Sequence, residues 1–168
     1  MWCAGAGFDS IDLPEPSEER VDALNAAGLA IGTIDLGPTQ KLLSPDDAVR
    51  AEGIDEVSAR VRAIAAVGGT KAFCVFYPAD HTQARGISVE NFCKAFPEVG
   101  AVAAEVGVRP EDCVFLGDSE ADMHCARAAG MTAIGALWGF RSREEIVAAG
   151  AHHVAAAPAA VWEVVRGR

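Results

Sequence analysis

Short apolar runs alternate with helix-patterned stretches along the whole chain, and this alternation limits the fold more than any other feature. Strands are predicted at 10–13, 30–36, 72–77, 113–116, 132–137 and 153–156. Several of these runs are apolar almost throughout, as strands covered on both faces should be. Helices are predicted between them, at 18–27, 45–67, 89–106, 121–129, 143–149 and 158–165. Ser44-Pro45-Asp46-Asp47 offers an N-cap, a proline at the first helical position and acids after it. Ser142-Arg143-Glu144-Glu145 reads as a capping box, and glycines 28, 68, 107, 130 and 150 fit helix C-termini. Pro97 is expected to split the 89–106 helix into two. Repeated β-α units imply parallel strands joined by right-handed crossovers. The expected architecture is therefore α/β: an open, mostly parallel sheet of about six strands with helices on both faces. Six units are too few for an eight-stranded barrel.

The segment Gly117-Asp118-Ser119-Glu120-Ala121-Asp122-Met123 follows the fourth apolar run and opens the helix after it. Asp118 at a strand end and Asp122 on the next helix's first turn can converge on one hard cation. Mg²⁺ suits such a pair, since it takes a few carboxylate oxygens and completes its shell with water and phosphate. Ser119-Glu120-Ala121-Asp122 also fits a capping box, so Asp122 has a structural role open to it. Asp80-His81 lies in a polar loop after the third apolar run, where it could reach a metal or simply face solvent. His152 and His153 sit at the start of the last strand, on the opposite edge. His124 reads as a surface or interface residue. Trp2, Trp138 and Trp162 read as packing anchors, with Trp138 placed to border a pocket.

The 168 residues (17.5 kDa) suffice for one α/β domain over 1–168. A net charge of −10 and a pI near 4.8 argue against nucleic acid, which needs a basic surface. No apolar run is long enough to span a bilayer, and no signal peptide is visible, so no membrane partner is expected. Cys3, Cys74, Cys93, Cys113 and Cys125 show no C-x-x-C spacing and read as small hydrophobes of a reduced, cytoplasmic protein.

From Arg109 onward the chain resembles the C-terminal part of haloacid-dehalogenase (HAD) superfamily hydrolases of the phosphoglycolate-phosphatase-like group. The resemblance rests on Val108-Arg109-Pro110-Glu111-Asp112, Val114-Phe115-Leu116-Gly117-Asp118-Ser119, Asp122-Met123 and Ala126-Arg127-Ala128-Ala129-Gly130-Met131. It continues through Ile134-Gly135, Trp138-Gly139 and Ala149-Gly150-Ala151. Lys94-Ala95-Phe96-Pro97 resembles that family's lysine motif. The resemblance implies Mg²⁺ at Asp118 and Asp122, a phosphate-binding Lys94, and an Asp-x-Asp motif on the first strand whose first member attacks phosphorus. The nearest match to that motif is Ile34-Asp35-Leu36-Gly37-Pro38-Thr39, with Gly37 where a second Asp is expected. Asp35 is therefore the candidate nucleophile, against a turn-capping role beside Gly37-Pro38. Thr33 is a further candidate for the phosphate clamp.

Residues from about 4 to 108 resemble instead the sugar phosphate isomerase/epimerase group, which has a xylose-isomerase-like TIM barrel. The carrying text is Ala6-Gly7-Phe8-Asp9-Ser10-Ile11-Asp12-Leu13-Pro14, Leu24-Asn25-Ala26-Ala27-Gly28-Leu29-Ala30-Ile31, and Gly68-Gly69-Thr70 before Phe73-Cys74-Val75. Both patterns share the stretch from Gly100 to Val108. The two resemblances point to a chimera: a half-barrel-like segment over 1–108 and a HAD-like segment over 109–168, with a flavodoxin- or Rossmann-like open sheet. The expected function is a folded hybrid with an incomplete HAD-type site and no efficient turnover, retaining weak Mg²⁺ or phosphate affinity. The alternatives are a Mg²⁺-dependent phosphohydrolase using Asp35 on a small phosphorylated molecule, or an isomerase-like protein with a metal near Asp80, His81 or Asp35. A homodimer that buries a sheet edge is the expected assembly alternative to a monomer.

Overall fold

The structure, a computed structural model, describes residues 2–166. The chain forms two compact units, Met1–Gln83 and Ala84–Arg168. The α/β architecture with six parallel strands matches expectation. The strands divide into two sheets of three, β1-β2-β3 and β4-β5-β6.

In the first unit the short helix α1 (Trp2–Gly5) precedes β1 (Ser10–Leu13), α2 (Glu18–Ala26), β2 (Ala30–Asp35), a 3-10 turn (Gln40–Leu43), α3 (Asp47–Ala66) and β3 (Ala72–Phe73). Strands β1 and β2 pair in parallel, with an irregularity between Ile11 and Leu13. The side chain of Asp12 fills that gap, its Oδ1 accepting the Thr33 N–H at 2.6 Å. Only glycine fits opposite, because a Cβ on Gly32 would lie 2.3 Å from that oxygen. Gly28, at φ +72°, lets the chain leave α2 in the left-handed region and enter β2. The N-cap of α3 is Asp46, which accepts from Ala48 N–H at 2.8 Å and Val49 N–H at 3.2 Å. The helix therefore starts two residues later than Ser44-Pro45 suggested, because a carboxylate caps better placed amides than the serine does. Leu13, Leu24, Leu29, Ile34, Leu42, Leu43, Val57 and Ile64 are all buried.

The third apolar run becomes a strand only over Ala72–Phe73, not over 72–77. The Thr39 hydroxyl donates to the Val75 carbonyl at 2.6 Å, occupying an acceptor that a longer ladder would need. Phe73, Val75 and Tyr77 all stand exposed.

In the second unit α4 (Arg85–Glu105) leads through a 3-10 turn (Pro110–Asp112) to β4 (Val114–Gly117), α5 (Glu120–Ala128), β5 (Thr132–Ala136), α6 (Arg143–Ala148), β6 (His153–Ala155) and α7 (Pro158–Arg166). All three strands are parallel, and every residue of the central strand β5 is buried. The expected break at Pro97 does not occur, since α4 runs through it. The proline cannot donate to the carbonyl of Cys93. Burial of Asn91, Phe92, Ala95, Phe96, Val99, Gly100 and Val102 on both sides of it holds the helix together regardless. Met123, Ala126, Ala133, Ile146 and Ala149 form a buried cluster, with Phe115, Ala151 and Val154 against it. Phe96 meets Phe115 edge-on at 5.3 Å between ring centres.

Candidate functional site

Parallel α/β sheets place ligands beyond the carboxyl ends of their strands. In the second unit Gly117 of β4 and Gly135 of β5 are register partners near that edge. A cleft of about 440 Å³ opens there, lined by Leu116, Gly117, Asp118, Ala136, Trp138, Gly139 and Phe140. Trp138 thus borders a pocket, as one sequence reading allowed.

The loop between β4 and α5 is built around Asp122. Ser119 and Asp122 form a full capping box at the start of α5. Asp122 Oδ2 accepts three hydrogen bonds: from Asp118 N–H at 3.1 Å, Ser119 N–H at 3.0 Å and the Ser119 hydroxyl at 2.7 Å. Gly117 is obligatory, for its Cβ would sit 2.2 Å from the Asp122 Cβ. Asp118 is held differently. Its Oδ2 accepts the Phe140 N–H at 3.1 Å. Gly139 permits that approach, since a Cβ there would lie 2.1 Å from both the Cβ and Oδ2 of Asp118.

These contacts use one oxygen of each carboxylate, so Asp118 Oδ1 and Asp122 Oδ1 are left for other partners. Two hard oxygen donors linked through one backbone amide, the first of them in a cleft, fit Mg²⁺. That ion needs one or two carboxylates and takes the rest of its shell from water and substrate. Among the described residues no group of three or more His, Cys, Asp or Glu gathers as a metal cage.

The other sequence candidates are placed as follows. Asp35 ends β2 in the first sheet, where β2 pairs with β1 and β3. Its Oδ1 accepts the Gly37 N–H at 2.7 Å, the turn-capping contact anticipated for it. Its carbonyl accepts from Arg60 Nε at 3.0 Å. Thr33 is tied to Asp12 through its own N–H. Lys94 is on the exposed side of α4 and pairs with Glu90 at 2.7 Å, which holds the Glu90 carboxyl below its usual range. Asp80 folds onto Thr82, accepting from its hydroxyl at 2.6 Å and its N–H at 2.8 Å, which lowers the Asp80 pKa. His81 stacks on Tyr77. His124 is exposed, 3.9 Å from Glu120. His152 Nδ1 accepts the Ala133 N–H at 2.9 Å, a structural role at the foot of β5. Sequence reasoning had Gly139 only as part of a family pattern and missed its contact with Asp118 and the Phe140 amide. Their signal was position, immediately after the central strand.

Residues 94–164 match the family described as HAD-hydrolase-like. The chain is similar to the phosphoglycolate phosphatase of Xylella fastidiosa (strain 9a5c), 54% identical over 43 residues, covering 26% of this chain and 19% of that protein. It is also similar to the phosphoglycolate phosphatase of Salmonella choleraesuis, 32% identical over 129 residues, covering 76% of this chain and 41% of that protein. The chain therefore spans well under half the length of these curated relatives. The second match is longer than the second unit, so the hydrolase likeness runs into the first, and the proposed chimera is not confirmed. Among solved structures, D-psicose 3-epimerase from Clostridium cellulolyticum H10 superposes with a TM-score of 0.60 at 18% identity, over 90% of this chain and 63% of that one. This is a likeness of fold. These matches carry a HAD-like phosphatase signal and do not bear out the incomplete, non-catalytic hybrid expected from the sequence. Among the described residues no helix is long and apolar enough to cross a membrane.

Proposed function

We propose that this chain is a Mg²⁺-dependent phosphohydrolase for a small phosphorylated molecule, with Asp118 and Asp122 as the carboxylates that would hold the cation. The observation that carries the reading is the loop itself. Its capping box fixes Asp122, the Phe140 amide fixes Asp118, and Asp118 lines the cleft. Bound there, Mg²⁺ would neutralise charge developing on the transferred phosphoryl group. The cleft's modest volume and the relatives' name make a small phosphorylated acid such as phosphoglycolate the first substrate to try. From the family resemblance, Lys94 is proposed as the phosphate-binding cation; Asp35 ends a strand of the other sheet and caps its own turn, and it is not carried into this site. Lys94 would then exchange Glu90 for the phosphate.

The test is release of inorganic phosphate from a panel of small phosphate esters, with and without Mg²⁺. The proposal expects metal-dependent turnover that Asp118→Asn and Asp122→Asn each reduce by about two orders of magnitude or more. Lys94→Ala should raise KM more than it lowers kcat. Turnover indifferent to Mg²⁺, or intact in Asp118→Asn, would sink the assignment. Calorimetric Mg²⁺ binding without turnover on any ester would return the non-catalytic reading.

A further inference from the structure

Two cysteines far apart in sequence meet where α4 crosses α5. Cys93 Sγ and Cys125 Sγ lie 2.8 Å apart. Cys125 is fully buried, on the inward face of α5, while Cys93 is half-buried and reachable from solvent. Neither chain position explains the contact as ordinary core packing, for which any two small apolar side chains would serve at a longer separation. We propose that Cys93 and Cys125 are a peroxide-responsive pair that closes into a reversible disulfide and clamps α4 to α5.

The geometry is close to what the bond needs. A disulfide holds its sulfurs at about 2.05 Å, so the pair must close by roughly 0.8 Å. The backbone on the α4 side can yield, because Pro97 offers no N–H to the Cys93 carbonyl one turn back. The chemistry balances with hydrogen peroxide as oxidant. The Cys93 thiolate attacks one peroxide oxygen, the O–O bond breaks, and hydroxide leaves and takes up a proton as water. This yields a sulfenic acid on Cys93. Cys125 Sγ then attacks the Cys93 sulfur, gives up its proton, and the S–O bond breaks with release of a second water. Two thiols are oxidised and one peroxide is reduced to two waters. A dithiol reductant reverses the change by thiol–disulfide exchange.

The clamp would act on the helix that carries the carboxylate loop. Cys125 is one turn beyond Asp122 on α5, so tying it to α4 restrains the end of the helix that the capping box begins. The remaining cysteines serve as internal controls. Cys113 bonds the Arg109 carbonyl at 3.6 Å, and Cys3 and Cys74 are half-buried in the first unit.

The test treats the reduced full chain with substoichiometric to equimolar hydrogen peroxide, blocks residual thiols with iodoacetamide, and maps peptides without reduction. The expected product is an intramolecular Cys93–Cys125 peptide, a loss of two hydrogens in intact mass and a raised Tm, all reversed by dithiothreitol. Cys93→Ser, Cys125→Ser and the better packed Cys125→Ala should each abolish the cross-link, and Cys93→Ser alone should stay reduced without loss of fold. Equal oxidation of all five cysteines, sulfinic acid on Cys93 with no cross-link, or the same Tm shift in Cys93→Ser would overturn the proposal.

Discussion

Replacing Asp122 by alanine, and separately by asparagine, distinguishes a carboxylate that builds the loop from one that merely decorates it. Asp122 Oδ2 accepts from two amides and a hydroxyl within 3.1 Å. Alanine removes all three acceptor contacts. A bond to a charged acceptor contributes about 1.5–3 kcal/mol, and loss of a capping interaction costs about 0.5–2 kcal/mol. The three donors share one oxygen and are only partly buried, so water replaces some of the loss. A total near 2–3 kcal/mol is expected for Asp122→Ala. Asparagine keeps an acceptor oxygen and forfeits the charge at the helix N-terminus, about 0.3–1 kcal/mol. Asp122→Asn should therefore cost about 1 kcal/mol, a clear gap from alanine. Urea unfolding of the full chain measures the difference, and hydrogen exchange at the Asp118 and Ser119 amides localises it. Ser119→Ala combined with Asp122→Ala should cost much less than the two separately, since both remove one unit. If alanine proved no worse than asparagine, or the paired losses simply added, the capping box would not be what holds the loop.

Gly135→Ala should destabilise by about 1–3 kcal/mol through overpacking, because the new methyl would fall 2.1 Å from Ile146 Cγ2 in the buried cluster. Adding Ile146→Ala should recover part of that loss in a thermal melt, whereas simple additivity would refute the contact. Pro97→Ala restores a helical hydrogen bond to the Cys93 carbonyl, so the protein should gain on the order of 1 kcal/mol with unchanged circular dichroism. A loss of stability would mean that the ring packs better than its missing bond costs. The Ser142 N–H, chiefly, lowers the Glu145 pKa from 4.5 in the folded chain. A depressed acid pKa adds stability above its unfolded value and loses it as pH falls through the folded one. Glu145→Gln should thus be less stable than the parent near pH 7, and the gap should close as pH falls through the depressed pKa of the folded carboxyl. A gap constant from pH 7 to 3 would exclude the carboxylate as its source.

Much of this fold could be read from the chain because its signals are local. Glycines 28, 68, 107, 130 and 150 all adopt positive φ, as their places after helical runs required. The boxes at Ser119 and Ser142 formed because donor and acceptor are three residues apart. What escaped was nonlocal. The third strand shortened because a threonine 36 residues earlier takes the Val75 carbonyl. The long helix survived Pro97 through burial on either side of it. The division into two sheets reflects pairing choices that no single apolar run encodes. In the site, the pairing of Asp118 with Asp122 was legible from spacing. The Phe140 amide was not, because it arrives from beyond β5 across a sequence gap of 22.

Gly117 and Gly139 leave space for hydrogen alone beside the two carboxylates. Trp138 and Phe140 are under no such constraint, being 45% and 95% exposed at the rim. Innovation at this cleft therefore has a natural division of labour. The frame around the two carboxylates is closed to enlargement, while the two aromatic positions can vary in size and polarity and so change what the rim presents without disturbing Asp118 and Asp122.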